Sequence, residues 1–334
     1  MRTSVFALVC LAVAALIFLA LRAVGNEYYF VAGYTIVQYI ILATAWNILG
    51  GYTGYVNFGS AAFFAVGAYS SVTLITFANN IDELLPESIA PIFQAIFPLP
   101  IPVMIVVGGL MSGLIGYGMG YLTLRLRGAF FAIATLALAV VLQTLVVNWE
   151  FVGGSSGAYV IRPDTAPLVG SYMQYLFMLM LVMAVIGLTA ARAIERSKLG
   201  FGFAAIRDDE LAAEASGVPT LQLKLVATAL SGALMGMAGA PFPYFIGFLQ
   251  PQSAFGLEYA VNSIAMPMIG GTMNWVGPLI GAVLLGTLQQ VANVTISSSV
   301  NLLIVGLLLI GFVIVAPNGV VGLVQDWLRA RKRP

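Results

Sequence analysis

The chain has 334 residues, and its 14 basic and 13 acidic residues make up only 8% of it. Hydrophobic residues account for 60% and the mean hydropathy is +0.99, whereas soluble globular proteins are about one quarter charged. A soluble fold cannot bury so much apolar surface. The composition therefore excludes a soluble enzyme, a nucleic-acid-binding protein and a disordered scaffold, and it predicts an integral membrane protein.

The residue inventory offers little for catalysis or metal binding. The chain has no histidine, which is the commonest general base and metal ligand, and Cys10 is its single cysteine. The nucleotide-binding pattern GxxxxGK[ST] and the metalloprotease pattern HExxH do not occur. We therefore predict no catalytic residues, no metal site and no cofactor. Cys10 lies in an apolar run, so we expect a small buried residue there.

Ten apolar runs are long enough to be transmembrane helices. A helix needs about 20 apolar residues to cross a hydrocarbon core of about 30 Å. The first run resembles a secretory signal, but Arg22 makes a poor cleavage site and another run follows closely, so we interpret it as an anchor. Broken or re-entrant helices are expected within the glycine-rich stretches 29–78 and 254–295. In chain order, the predicted spans are 3–21, 29–49, 58–78, 101–123, 129–148, 170–191, 222–245, 254–272, 275–295 and 299–317.

The charges between these spans predict the orientation. With a cytoplasmic N-terminus and ten crossings, only Arg22 and Arg162 among the basic residues fall outside. Because basic loops prefer the cytoplasmic side, both termini are predicted to be cytoplasmic. The basic residues placed inside are Arg2, Arg125, Arg127, Arg192, Arg196, Lys198, Arg207, Lys224, Arg329, Arg331, Lys332 and Arg333. The acidic residues placed outside are Glu27, Asp82, Glu83, Glu87, Glu150, Asp164 and Glu258.

Three extramembrane segments accompany the single transmembrane domain predicted over 1–334. Residues 79–100 carry acidic residues and prolines, and they are predicted to form a periplasmic loop with a short interfacial helix. Residues 192–221 form a long polar stretch that falls on the cytoplasmic side. Residues 318–334 form a basic cytoplasmic tail.

The cytoplasmic loop 192–221 contains a predicted short helix from Asp208 to Ser216. Three acidic residues crowd its first turn, where the helix dipole favours negative charge. Gly217 stands where a left-handed C-terminal residue belongs, and Pro219 prevents the helix from continuing.

This short helix needs a packing partner, because a helix of this length is marginal alone in water. Leu211, Ala212 and Ala215 are predicted to line one of its faces. The two alternatives for the partner are the membrane domain of the same chain and a separate cytoplasmic protein.

Two glycine-rich segments, 50–57 and 266–275, are predicted to interrupt helices at membrane depth. Non-helical backbone is tolerated there only where protein or water covers it, and transporters use such breaks to build polar sites. The alternative is an ordinary turn at the membrane boundary. The residues predicted to line a solute pathway are Asn47, Gly50, Gly51, Tyr52, Thr53, Gly54, Asn57, Asn262, Gly270, Gly271, Thr272 and Asn274.

Closely spaced glycines within the spans predict tight helix packing rather than substrate contacts, because GxxxG lets helix backbones approach in lipid. Span 101–123 is the best candidate for a tightly packed central helix. The glycine pairs occur at 109 and 113, 116 and 120, 232 and 236, and 277 and 281.

No ionisable residue lies clearly at the centre of a predicted span, and Glu150 and Glu258 lie near outer ends. A proton-coupled carrier is expected to hold a buried carboxylate or histidine. We therefore expect the energy source for any transport to lie outside this chain.

Four stretches carry a family resemblance: 47–69, 124–137, 205–218 and 269–282. They resemble, in the same order, motifs of the permeases of branched-chain amino acid ABC importers, the LivM/LivH family, and they are spread over most of the chain. The chain length and the sequence Arg-Asp-Asp-Glu at 207–210 resemble the LivM half of that family.

The resemblance implies a permease subunit of an ATP-binding-cassette importer for branched-chain or related apolar amino acids in the bacterial inner membrane. It implies four partners: a second, LivH-like permease, two ATP-binding subunits and a periplasmic substrate-binding protein. It also implies that the cytoplasmic loop couples to the ATPase. The residues to which that role carries over are Arg207, Asp208, Asp209, Glu210, Glu214 and Gly217.

Three positions depart from the family pattern, and they leave the substrate open. Ser60 stands where relatives often have histidine, Met273 where a glycine is common, and Phe203 where a basic residue is common. Urea, short amides and aromatic or organic acids are therefore alternative substrates. The other classes to be tested are a self-energised secondary transporter or channel, and a membrane enzyme, for which no nucleophile–base pair is visible.

Overall fold

The computed structural model describes residues 3–162 and 169–295, together with 303, 306–307, 310–311 and 319–323. Most of the predicted span 299–317 and of the basic tail 318–334 lies outside these described residues. The longer helices of the first half are α1 (Thr3–Val24), α2 (Glu27–Thr53), α3 (Ser60–Asn79), α6 (Ile101–Thr123) and α7 (Ala129–Val147), with the short α4 (Ile81–Leu84) and α5 (Ala90–Ile96) between α3 and α6.

The second half continues with α8 (Tyr172–Glu195), α9 (Lys198–Asp208), α10 (Glu210–Ala215), α11 (Thr220–Gly239), α12 (Phe242–Ile246), α13 (Pro251–Ala254), α14 (Leu257–Gly270) and α15 (Val276–Thr295). Two strands of two residues each, β1 (Ala158–Tyr159) and β2 (Phe248–Leu249), pair antiparallel. The chain is thus helical almost throughout the described part.

Eight helices among the described residues are long and apolar enough to cross a membrane: α1, α2, α3, α6, α7, α8, α15 and the stretch Thr220–Ile246, which joins α11 to α12. Each of them matches one predicted span. Large apolar side chains such as Leu8 in α1 and Phe130 in α7 are mostly exposed, as expected for helices that face lipid. These helices agree with the predicted all-helical membrane fold.

The predicted span 254–272 differs in the structure. It contains α14, which has only 14 residues and therefore rises about 21 Å, less than the roughly 30 Å of a bilayer core. Pro251 and Gly256 separate α14 from the preceding segments, and Pro267 lies inside it. This stretch is therefore one of the broken pieces that the glycine content led us to expect.

The chain forms two compact units. The first comprises Met1–Val56, Phe177–Ala227 and Val261–Pro334, and the second comprises Asn57–Leu176 and Thr228–Ala260.

In the second unit, α3 packs closely on α6 and on the later part of α11. A Cβ atom on Gly67 would overlap the carbonyl of Gly236, and the hydroxyl of Ser112 donates to the carbonyl oxygen of Phe63 at 2.8 Å. The glycine pairs of α6 and α11 are therefore packing residues, as predicted. The segment 79–100 contains the short helix α5, and Gln94 donates from it to Asp82 at 2.6 Å.

Candidate functional site

The first unit brings the two predicted glycine-rich segments together. Asn47 in α2 donates from its side-chain amide to the carbonyl oxygen of Asn274 at 3.4 Å. Gly51, one turn further along α2, faces the same segment, because a Cβ atom there would lie 2.7 Å from the carbonyl oxygen of Thr272 and even closer to the Asn47 side chain. We call the contact of Asn47 and Gly51 with 271–275 the glycine junction.

The helix breaks are shorter than predicted. Gly50, Gly51, Tyr52 and Thr53 are helical, because α2 runs to Thr53 and only Gly54, with φ +77°, ends it in a left-handed conformation. The prediction of a break from residue 50 is therefore wrong, and the break begins at Gly54. Lipid-embedded helices tolerate glycine where a neighbour approaches closely, which explains why two glycines do not interrupt α2.

The second predicted break, 266–275, is also shorter. Residues 266–270 belong to α14, and the non-helical backbone covers only 271–275. Gly270 and Gly271 face the backbone of α15, since a Cβ atom on Gly270 would overlap the carbonyl of Gly277. Gly271 has φ +118°, a conformation that favours glycine.

Polar groups of the glycine junction are used mainly to hold the junction together. Asn274 caps α15, because its side-chain oxygen accepts from the backbone N–H groups of Val276 at 3.1 Å and Gly277 at 3.0 Å. Glu195 at the end of α8 accepts from the backbone N–H of Trp275 at 3.1 Å. The predicted pathway segments thus meet, but these groups anchor helix ends.

The remaining predicted pathway residues have identifiable partners. Tyr52 donates its hydroxyl to the carbonyl oxygen of Ala191 at 3.4 Å, and Thr53 donates to the carbonyl oxygen of Leu49 at 2.6 Å. In the second unit, Asn57 accepts from the backbone N–H of Gly59 at 2.7 Å, just before α3. Asn57 is therefore a turn-forming residue at the start of a helix.

Asn262 belongs to a buried polar network that the sequence only partly revealed. Its amide donates to the Tyr39 hydroxyl at 3.3 Å, and its side-chain oxygen accepts from Gln289 at 2.9 Å. All three side chains are buried, and Tyr39 lies near the middle of α2. Burying such groups is costly unless they bond to one another, so this network fixes α14 and α15 against the centre of α2.

The polar loop 192–221 folds into two helices instead of one. Helix α9 was not predicted; its Phe203 is fully buried and its Ile206 nearly so. The helix predicted from Asp208 begins two residues later, because Asp208 ends α9 and Asp209 caps α10 by accepting from the backbone N–H groups of Leu211 and Ala212. Phe203, which stands where a basic residue is common in the family pattern, is thus a core residue of α9.

The end of α10 matches the prediction, because Gly217 has φ +83°. The orientation of the helix is more informative. Ala213 is its buried residue, whereas Leu211 is 63% exposed, and Ala212 and Ala215 are exposed as well. We call Leu211, Ala212 and Ala215 the exposed α10 face. Within the described part of the chain, the apolar face predicted to need a partner is left open.

The acidic residues of the loop do not form one outward surface. Asp208 is exposed and contacts Arg207 at 3.2 Å. Glu214 accepts from the Thr220 hydroxyl at 2.7 Å. Asp209 is a helix cap and Glu210 points inward, so both have roles within the chain, and attachment of a partner by these acidic residues stays a prediction.

Glu210 forms a mostly buried cluster with two residues that the sequence analysis did not single out as site residues. Lys224 Nζ lies 2.6 Å from Glu210 Oε1 and 3.2 Å from the Tyr55 hydroxyl, which itself donates to Glu210. The ammonium also lies 4.6 Å from the centroid of the Tyr55 ring. The Lys224 side chain is only 3% exposed and that of Glu210 13%. We call Tyr55, Glu210 and Lys224 the loop triad.

One signal in the sequence could have revealed the loop triad. Lys224 falls inside the predicted span 222–245, and a buried cation requires an anionic partner. Glu210 is the carboxylate that fills this role, but it lies 14 residues upstream, and Tyr55 lies 169 residues from Lys224.

Contacts in the first unit place the ends of several helices on one side of that unit. Arg192 at the end of α8 is buried, and its guanidinium lies 4.0 Å from the Phe6 ring centroid in α1 and 5.8 Å from that of Trp275. Gly54, at the end of α2, lies against the Arg207 side chain. The start of α1, the ends of α2 and α8, the polar loop and 271–275 therefore lie on one side of the first unit.

A cavity of about 580 Å³ in the first unit does not coincide with the predicted pathway residues. Its lining is apolar and comes from α1, α2, α8, α15 and Trp275; it includes Phe6, Cys10, Ile36, Phe177, Leu181 and Leu279. Cys10 is half-buried, more exposed than expected. We assign no polar ligand to this cavity.

One short motif resembles that of a hydrolase but lacks its setting. The sequence Gly-Gly-Ser-Ser-Gly at 153–157 has the spacing GxSxG, which in hydrolases places a serine between a strand and a helix. Here its middle residues form one short 3₁₀ turn, Gly154–Ser156, and the chain has no histidine to activate the serine.

Comparisons with known proteins match most of the chain to one family. Residues 28–313 match the family model described as branched-chain amino acid transport system / permease component. The chain is 27% identical to the high-affinity branched-chain amino acid transport system permease protein LivM of Salmonella typhimurium and 26% identical to that of Escherichia coli; each match covers 88% of this chain and 70% of the relative.

A third relative is the probable branched-chain amino acid transport permease protein LivH of Methanocaldococcus jannaschii, which is 25% identical over 83% of this chain and 85% of its own length. No solved structure matches the chain with significance.

Proposed function

This chain belongs to the family of branched-chain amino acid transport system permease components, and from that premise we propose that it forms part of the pathway of an ATP-driven importer for branched-chain or related apolar amino acids. The family assignment confirms the prediction of a multi-pass membrane permease subunit rather than an enzyme. The observation that carries the proposal is the match over residues 28–313, which include the polar loop and both glycine-rich segments.

The importer assembles from several subunits in the bacterial inner membrane. A second, homologous permease completes the pathway, a periplasmic protein delivers the amino acid, and two ATP-binding subunits act from the cytoplasm. The names of the relatives, LivM and LivH permease proteins, support the presence of both kinds of permease component in such systems.

The polar loop faces the ATP-binding subunits in this proposal. The support is that α10 exposes Leu211, Ala212 and Ala215. Its cap stabilises its first turn, and Glu210 binds it to Lys224 in the rest of the first unit. Contiguous exposed apolar patches mark interaction sites when they are large; the exposed α10 face is small, so the proposal rests also on its anchored position in the polar loop. Arg207 and Asp208 lie at the N-terminal end of this face.

We assign two features that lie along α2 to the pathway. They are the glycine junction and the buried network of Tyr39, Asn262 and Gln289. They combine close backbone approach with side-chain amides in the membrane-spanning region, a combination that transporters use for polar sites. In the structure, the contacts described above pack these segments against one another.

A self-energised carrier is the competing class. Such carriers hold ionisable residues within the membrane. The buried charged residues in the described part of the chain are Arg192 and Lys224, one in the last turn of α8 and the other in the second turn of α11. This placement favours an external energy source.

The experiment for the substrate is a competition assay on the complete complex in proteoliposomes. Uptake of labelled leucine is measured with an excess of unlabelled isoleucine, valine, urea, a short amide or an aromatic acid. We expect isoleucine and valine to compete. No uptake of labelled leucine, together with uptake of labelled urea, a short amide or an aromatic acid, would replace the amino acid assignment with one of those classes.

A further inference from the structure

The loop triad joins three segments that are far apart in sequence. Tyr55 follows the end of α2 by two residues, Glu210 is the first residue of α10, and Lys224 lies in the second turn of α11. Lys224 and the Tyr55 hydroxyl both bond to the same carboxylate. The loop triad is therefore a direct side-chain link between the exposed α10 face and the end of a membrane-spanning helix.

Moving the side chains of the loop triad apart costs free energy. The Lys224 ammonium is almost completely buried. Removing the partner of a buried charge strongly destabilises the folded protein. The hydrogen bonds of this ammonium are charge-assisted, and these are stronger than neutral ones. If α10 is displaced, there are two outcomes. Either Lys224 and Tyr55 move with Glu210, or the Lys224 ammonium stays buried without its carboxylate.

A second contact links the same two regions. Gly54, which ends α2, lies against the side chain of Arg207 at the end of α9, because a Cβ atom on Gly54 would lie 3.3 Å from Arg207 Cγ. Thr220 also holds the end of α10 through Glu214. The α10 helix is thus attached at its start to α2 and α11 and at its end to the first residue of α11.

We propose that Tyr55, Glu210 and Lys224 are positioning residues that transmit the displacement of α10 to the end of α2. This inference rests on the proposed function, in which an ATP-binding subunit presses on α10. Gly51 of the glycine junction lies two residues before the end of α2 at Thr53, so a shift of that end changes the contact of Gly51 with Thr272. The loop triad thereby connects ATP hydrolysis with the predicted pathway.

The deciding variant is Tyr55→Phe, because it removes only the hydroxyl and keeps the ring beside Lys224. The complete complex is reconstituted in proteoliposomes, and leucine uptake and ATP hydrolysis are measured in the same vesicles. We expect uptake per ATP hydrolysed to fall about fivefold, the factor that corresponds to about 1 kcal/mol for one hydrogen bond, with the amount of assembled complex unchanged. Tyr159→Phe is the matched control, since Tyr159 is 80% exposed.

Charge variants provide a rescue test. Glu210→Lys and Lys224→Glu each place like charges together and should lower uptake per ATP more than Tyr55→Phe does. The double exchange restores an opposite pair and should recover part of the ratio. If the single variants fail to assemble, Tyr55→Phe still decides the question.

The results separate this inference from the proposed function. An unchanged ratio of uptake to hydrolysis in Tyr55→Phe, or a loss of uptake explained entirely by less assembled complex, overturns the positioning role. Absence of ATP-dependent uptake in the unmodified complex overturns the proposed function instead.

Discussion

Lys224 Nζ lies 2.6 Å from Glu210 Oε1, so the first residue of α10 is bound to the second turn of α11 by a mostly buried ion pair. Buried pairs contribute little net stability relative to apolar packing, but breaking one side of them is costly. Their value here is positional, because the pair fixes where the exposed α10 face stands.

The first prediction concerns the stability of this pair. Glu210→Gln leaves the Lys224 ammonium buried beside a neutral amide, and we expect a loss of about 3 kcal/mol in the free energy of unfolding. Lys224→Met combined with Glu210→Gln removes both charges, so its effect should be smaller than the sum of the single effects. Thermal unfolding of the purified chain in detergent measures both. Glu83→Gln, on the exposed outer loop, is the control, and strictly additive effects would contradict a coupled pair.

The second prediction concerns the exposed α10 face. Leu211→Glu introduces a charge on a side chain that is 63% exposed, so the permease itself should remain folded. If Leu211 is buried against an ATP-binding subunit, the change removes about 1.5–3 kcal/mol of apolar burial, which corresponds to a roughly tenfold or greater loss of affinity. Co-purification of the ATP-binding subunits measures the loss.

Leu84→Glu on the outer loop is the matched control for Leu211→Glu, since Leu84 is also exposed. Equal recovery of ATP-binding subunits by both variants would show that α10 does not dock there. Reversal of the Asp209 and Glu214 charges is a poorer test, because Asp209 caps α10 and Glu214 binds Thr220.

Particular residues show what the sequence could and could not predict. The spans were recognisable because about 20 consecutive apolar residues leave few alternatives. The sequence predicted that both glycine-rich segments line one pathway, but it did not predict their direct contact. Contacts such as that of Asn47 with Asn274 depend on tertiary packing, which local sequence patterns do not reveal. The helical state of Gly50 and Gly51 was missed because glycine is a break signal in water and a packing residue in lipid.

The loop shows the same limit. The cap at Asp209 and the stop at Gly217 follow local rules, although the helix start was placed two residues too early. The burial of Glu210 does not follow local rules, because it depends on Lys224 and on the remote Tyr55. Helix α9 was missed because Gly200 and Gly202 lower helix propensity, while the buried Phe203 and Ile206 stabilise it through tertiary packing.

The third prediction tests the glycine junction. Gly51→Ala places a methyl group 2.7 Å from the carbonyl oxygen of Thr272, so the segment 271–275 must move away from α2. We expect a lower unfolding temperature and a lower uptake rate. Gly118→Ala in α6 is the control, because its methyl group meets no atom within 4 Å and should add up to about 1 kcal/mol of helix stability. Equal behaviour of the two variants would remove Gly51 from the pathway hypothesis.

The fourth prediction tests the orientation. In a chain with Cys10 replaced by alanine, a cysteine at Glu87 should react with an impermeant thiol reagent added outside intact spheroplasts. A cysteine at Ser216 in the exposed end of α10 should react only after the membrane is opened. The opposite pattern would invert the topology and place α10 away from any cytoplasmic ATP-binding subunit.

The most direct test of the account is the energy requirement of uptake by the complete complex in proteoliposomes. We predict accumulation of leucine when ATP is available to the face that carries the polar loop, and none when the ATP-binding subunits are inactivated or omitted. Accumulation driven by a proton or sodium gradient without ATP or the ATP-binding subunits would contradict the account.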